Sequence, residues 1–126
     1  MSQQQHKVII SLAANCDPEK NLAKARECLS RILSDTNYTR ELWTEPFSAP
    51  HSSPLYLNQL VYATTCLGDE QLVGELKDIE KALGRTAEDR RQGRVRIDLD
   101  LMQYDEARHH LRDWDRPYIK ALLLLA

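Results

Sequence analysis

Apolar positions along the chain change period several times, and each change marks an element. From Lys7 to Leu12 (Lys-Val-Ile-Ile-Ser-Leu) a short β-branched run follows a polar tail, which predicts a buried strand. Ala13 to Asp17 turns out of it. A helix then opens with Asp17 at the N-cap, Pro18 at the first position and Glu19 in the first turn. Its stripe is Leu22, Ala25, Cys28, Leu29 and Ile32, at three- and four-residue steps, running to about Leu33. Tyr38 to Trp43 reads as a second strand. Glu45 to Leu55 holds Pro46, Pro50 and Pro54, cannot pair inside a sheet, and must be a loop. Tyr56 to Leu67 is rich in strand formers. After Gly68-Asp69 comes a second helix, with Leu72, Val73, Leu76, Ile79, Glu80 and Leu83 along one side and Gly84 closing it. Arg85 to Gly93 is polar and predicts another long loop.

From Arg94 to Leu101 the chain alternates without a break: charge at Arg94, Arg96, Asp98 and Asp100, aliphatic at Val95, Ile97, Leu99 and Leu101. Period two is the strand period, so a strand is expected here, ending near Tyr104. Asp98 and Asp100 would then share a face, with Cα atoms about 6.5–7 Å apart. That spacing lets two carboxylates share hard divalent ions, and equally describes the salt-bridged face of an amphipathic strand. Asp105 to Asp115 reads as a charged connector. Arg116 to Leu125 reads as a short terminal helix or strand whose Leu122–Leu125 run needs cover.

The order strand, helix, strand, strand, helix, strand is the βαββαβ of an α+β, ferredoxin-like sandwich, an antiparallel sheet with two helices on one face. Its first and last strands lie side by side at the sheet centre, which brings Asn15 near Asp98 and Asp100. The other face is expected to be open, with the two long loops able to close over it.

Composition narrows the function classes. A chain of 126 residues, 42% hydrophobic and 29% charged, builds one core and one domain, 1–126. A net charge of −2 leaves no basic footprint for nucleic acid, so anion binding must be local. No apolar run approaches the roughly 18 residues that span a membrane. The start Met-Ser-Gln-Gln-Gln-His has no signal-peptide pattern. Cys16, Cys28 and Cys66 are odd in number and widely spaced, which points to reduced thiols in the cytoplasm. The chain carries no Gly-x-x-x-x-Gly-Lys phosphate loop, so phosphate binding would have to come from metal and arginine.

Several motifs in order carry a more specific signal: Ser11-Leu12-Ala13-Ala14-Asn15, Pro46, Tyr56-Leu57-Asn58, Ile79-Glu80, Gly84-Arg85, and Arg96-Ile97-Asp98-Leu99-Asp100-Leu101. Together they resemble the 6-hydroxymethyl-7,8-dihydropterin pyrophosphokinase family of folate biosynthesis, from about Val8 to Leu123. The resemblance implies Mg-dependent transfer of pyrophosphate from ATP to the pterin alcohol. It implies two Mg²⁺ ions on Asp98 and Asp100, with Arg85 and Arg96 as catalytic partners. Glu80, Arg94, His110 and Arg116 would contact ATP, and Tyr56, Asn58 and Tyr118 would hold the pterin. Small-molecule substrates are the implied partners, and a monomer or weak homodimer the implied state.

This chain also departs from the family pattern. Ala13-Ala14 stand where Gly-Ser is usual, Glu45 and Phe47 where Thr-Pro-Pro is common, and Val95 where the family has an arginine. Strand alternation would give that arginine's place to Arg96 or Arg94, the two that share the aspartate face. The segment from Asp100 to His110 is short for the family. The rival reading is a non-catalytic ferredoxin-like module for ligand binding or oligomerisation.

Overall fold

The computed structural model describes residues 4–45, 55–84 and 86–124. In chain order the elements are β1 (His6–Ala14), α1 (Pro18–Leu29), β2 (Ser34–Tyr38), β3 (Leu42–Thr44), β4 (Tyr56–Thr65) and α2 (Asp69–Ala82). Then come α3 (Ala87–Arg91), β5 (Asp98–Tyr104), β6 (Ala107–Arg108), α4 (Leu111–Trp114) and α5 (Pro117–Leu123). The strands form one open antiparallel sheet in the order β2-β4-β1-β5-β6, with β3 also paired to β4. This is the α+β, ferredoxin-like arrangement that the element order predicts.

β1 is the axis of the sheet because its two neighbours arrive from opposite directions along the chain. It pairs with β4 from His6↔Thr65 to Ala14↔Leu57, and with β5 from Val8↔Tyr104 to Ala13↔Asp98. Its alternation decides the layers. Val8, Ile10, Leu12 and Ala14 face a core completed by Leu22, Ala25 and Leu29 of α1 and by Leu72, Leu76 and Ile79 of α2. Fully burying each valine, leucine or isoleucine among them stabilises the fold by roughly 1.5–3 kcal/mol relative to exposure.

The opposite face is not open along its length, contrary to the sequence reading. Leu60 of β4 and Met102 of β5 are covered by Trp114 of α4 and by Ile119 and Leu122 of α5. The terminal segment is therefore a helix, entered through Pro117 at its start. Its leucine run is only partly buried: Leu122 is 0% exposed and Leu124 86%. One side of a helix packs against a sheet, and consecutive residues cannot all share it.

Four more expectations change. The second strand lies earlier and in two pieces, β2 and β3, because pairing to β4 rather than apolar alternation defines it; the β2 sequence Ser-Asp-Thr-Asn-Tyr is mostly exposed. Asp17 does sit at the N-cap of α1, but in the left-handed region (φ 42°) and without a side-chain capping bond. The stretch read as a loop from Arg85 to Gly93 contains α3, started by a capping box in which Thr86 and Asp89 bond each other's backbone N–H. The charged connector from Asp105 to Asp115 contains β6 and α4.

The alternating octet is a strand only from Asp98 onward. Its first three residues are bonded elsewhere. Val95 donates its N–H to Asn15 Oδ1 and accepts the N–H groups of Asn15 (2.8 Å) and Cys16 (3.1 Å). Arg94 donates its N–H to the Asp89 carbonyl at 2.8 Å. Arg94 and Arg96 lie outside the ladder, so strand alternation does not place them on the aspartate face.

Candidate active site

Antiparallel register places residues directly opposite one another on the same face of a sheet. Asn58, Ala13 and Asp98 therefore form one transverse row, and Leu60, Ser11 and Asp100 form the next. Both rows lie on the face that carries α4 and α5. At about 4.8 Å per strand spacing, Asn58 and Asp98 stand roughly 10 Å apart across Ala13. Ala13 keeps the middle of this trough low between the polar Asn58 and Asp98, while Ser11 lies buried between Leu60 and Asp100.

On one side, Asn58 is 3% exposed and its amide group donates to Thr44 Oγ1 (2.7 Å), the Leu42 carbonyl (3.1 Å) and the Tyr56 carbonyl (3.3 Å). These bonds tie β3 to β4 and fix the orientation of the Asn58 side chain. Tyr56 opens β4 opposite Thr44 and is half-buried. The two pterin-binding candidates from this motif thus lie at one end of the trough.

On the other side, Asp98 and Asp100 are half-buried neighbours on β5. His110, in the left-handed region at the start of α4 (φ 52°), brings Nε2 to 3.8 Å from Asp100 Oδ1. Tyr118 of α5 lies within electrostatic reach of both aspartates. Burial pushes its phenol up first of all, and the carboxylates of Asp113, Asp100 and Asp98 add to the rise against the opposing Arg116. Arg116 pairs with Asp113 at 2.7 Å. His110, Tyr118 and the aspartates thus lie near one another.

The outer edge of β5 adds a cleft of about 390 Å³ between the strand and α2, lined by Glu80, Lys77, Asp98, Asp100, Leu101 and His110 among others. Among the described residues, no strand pairs with that edge before Gln103. Glu80 Oε2 accepts the Leu99 N–H at 2.8 Å. Strand alternation then turns the N–H and carbonyl of Leu101 toward the same cleft. The sequence reading missed Lys77, although helix spacing sets it one turn before Glu80 on the same side.

The donor set suits a hard cation. Mg²⁺ takes oxygen ligands and is typically held by one or two carboxylates together with substrate phosphates. Asp98 and Asp100 supply that number, and no group of three or more metal-ligating side chains exists among the described residues.

The arginines are arranged differently from the expectation. Arg85 lies outside the described residues, as does most of the proline-rich loop. Arg94 and Arg96 both turn to Asp89, a residue the sequence reading passed over: Arg96 Nε is 2.8 Å from Oδ2 and Arg94 Nε 3.2 Å from Oδ1. The Arg96 hydrogen bond, supported by Thr86, holds the Asp89 carboxyl down at about 2 despite its burial. The Thr86-x-x-Asp89 capping pattern was the signal that could have found it.

A family model described as 7,8-dihydro-6-hydroxymethylpterin-pyrophosphokinase matches residues 9–125. The chain is 33% identical over 130 residues to a pea protein named folate synthesis bifunctional protein, mitochondrial, covering 96% of this chain and 25% of the relative. It is 30% identical over 127 residues to an Arabidopsis thaliana folate synthesis bifunctional protein, covering 93% of this chain and 26% of the relative. The chain thus spans about a quarter of the length of these relatives. With the family match running almost end to end, the chain belongs to the 7,8-dihydro-6-hydroxymethylpterin-pyrophosphokinase family.

Proposed function

We propose that residues 1–126 act as a single catalytic domain transferring a pyrophosphoryl group from ATP to 6-hydroxymethyl-7,8-dihydropterin. The hydroxymethyl oxygen attacks the β-phosphorus, the bond from that phosphorus to the oxygen of the α-phosphate breaks, and AMP leaves. The observation that carries the reading is the register that sets Asn58 and Asp98 in one row across Ala13. Roughly 10 Å between pterin reader and phosphate end suits a bicyclic ring with one carbon beyond it.

Asn58 would meet the amide-like edge of the pterin through its Oδ1 acceptor, since its N–H donors are held by Thr44, Leu42 and Tyr56. Tyr56 and Tyr118 would offer flat faces for stacking. The cleft beside β5 would take ATP, the Leu101 backbone reading the base while His110 and Arg116 meet phosphate oxygens. Glu80 would act by holding the edge of β5 in place through Leu99. Asp98 and Asp100 would hold two Mg²⁺ ions, whose chemistry when bound is to gather the triphosphate and offset its charge. Arg85, Arg94 and Arg96 would neutralise charge gathering on the transferred group. Such catalysis is mostly positioning and electrostatics.

A second reading, a non-catalytic module, has one observation in its favour. Val95 stands where the resemblance places an arginine. A coupled assay of AMP release with the pterin alcohol, with and without Mg²⁺, separates the two. Turnover that needs all three components is expected, and Asp98→Ala should abolish it while the melting curve stays cooperative. An unchanged rate in that variant ends the mechanism.

As to setting, no helix among the described residues is long and apolar enough to cross a membrane. The free thiols Cys16, Cys28 and Cys66 support a reducing compartment, which we take to be the cytoplasm, with the chain a monomer or weak homodimer. Recovery from a mitochondrial fraction would overturn that placement.

A further inference from the structure

Asp89 is the most enclosed charged group among the described residues, with its side chain 1% exposed. Its bonds run in two directions. Toward its own helix, its N–H donates to Thr86 Oγ1 (3.1 Å) and Oδ2 accepts the Thr86 N–H (3.2 Å). Toward the approach to β5, Oδ2 accepts Arg96 Nε–H at 2.8 Å, and Oδ1 stands 3.2 Å from Arg94 Nε. The Asp89 carbonyl also accepts the Arg94 N–H at 2.8 Å.

Both arginines approach with Nε, Arg96 through a hydrogen bond and Arg94 as an ion pair in which neither Arg94 Nε nor Asp89 Oδ1 makes a hydrogen bond. A guanidinium carries five N–H donors, so the two terminal nitrogens of each remain for another acceptor. The arginine side chains are 41% and 38% exposed, and Arg96 runs past Gly84, where a Cβ would meet its Nη1 at 3.8 Å. Arg96 is two residues ahead of Asp98, and the segment between α3 and β5 is pinned by Asn15, through its Oδ1 to Val95 and its Nδ2 to Gly93. The spacing from the arginine pair to the aspartates is thereby fixed.

The geometry points to Asp89 as a positioning residue: one buried carboxylate holds Arg94 and Arg96 as a fixed pair, so that their terminal nitrogens meet the triphosphate. This rests on the pyrophosphokinase reading of the trough. Transfer of either arginine from Asp89 to phosphate is the alternative arrangement. It would strip a buried carboxylate of a cationic partner, which is strongly unfavourable. A fork that bonds Asp89 at one edge and phosphate at the other avoids that loss. Lysine could not do both, because its ammonium is a single point.

The test follows AMP release with Mg–ATP and the pterin alcohol, and separately titrates Mg–tripolyphosphate by calorimetry, which needs no turnover. Wild type, Asp89→Asn, Arg96→Lys and Thr86→Ala are compared. Asp89→Asn is expected to raise the ATP KM and the tripolyphosphate Kd about tenfold or more, as loss of an outer positioning partner commonly does. The pterin KM should move less than about twofold, since uniform weakening is not the mechanism. Arg96→Lys should match it. Thr86→Ala, which removes only the cap, should lower the melting temperature and leave both constants near wild type. Absence of wild-type turnover removes the pyrophosphokinase reading, and the calorimetric arm still judges Asp89. The inference is overturned by wild-type constants in Asp89→Asn, by a Thr86→Ala variant that behaves like it, or by no tripolyphosphate binding to wild type. Should Asp89→Asn not fold, Arg96→Lys decides: unchanged tripolyphosphate affinity overturns the inference.

Discussion

Asp98 and Asp100 could be singled out in the sequence because alternation is a local property: two carboxylates two residues apart share a face wherever a strand forms. Asp89 carries only the local signal of a capping box, and its hold on the arginines comes from Arg94 and Arg96 turning back on it across a helix end. Its chemistry has a pH signature. Held mainly by Arg96, the carboxyl lies at about 2 when folded against an ordinary 3.8, so folding favours the ionised form. The stabilisation is present above pH 3.8 and is lost as pH falls toward about 2. Asp105, lowered chiefly by its bond from His6, contributes in the same direction. Acid melting curves of the wild type should therefore lose stability through this window, and Asp89→Asn should flatten the loss without abolishing it. An identical slope in the variant would show that the pair does not respond to pH as its geometry requires.

At the scale of elements, α1, α2, β1 and β4 follow from apolar period alone, because each buries one regular side. The segment before β5 does not. Its backbone is satisfied by Asn15 and Asp89, so alternation there is a pattern without a ladder. α3 is likewise a tertiary product, since five residues make no stable helix unaided. Asn15→Ala tests this arrangement. It removes the side-chain acceptor for Val95 N–H and the donor to the Gly93 carbonyl. We expect a loss of about 1–3 kcal/mol in chemical denaturation, typical of orphaned, partly buried polar groups. A variant as stable as wild type would mean that α3 and the sheet hold the segment without this link.

Across the whole molecule, two cores sit on opposite faces of one sheet, and only one of them adjoins the trough. Leu22→Ala and Leu122→Ala each empty a site that is 0% exposed, and each should cost about 2–5 kcal/mol. Their effects on ligands should differ. Leu122 anchors α5, which carries Tyr118 near the aspartates, so its variant should also weaken pterin binding at temperatures where both proteins are folded. Leu22 packs α1 on the far face and should leave that affinity near wild type. Equal losses of affinity in the two would refute this division of labour. The sequence by itself determined the fold class, the aspartate pair and the order of motifs, because these rest on period, spacing and residue type. Only the tertiary structure decided that α4 and α5 cover the second face, that the strand begins at Asp98, and that one buried carboxylate gathers both arginines. Each of these depends on contacts between residues far apart or across a turn, where no local period records which partner a polar group will find.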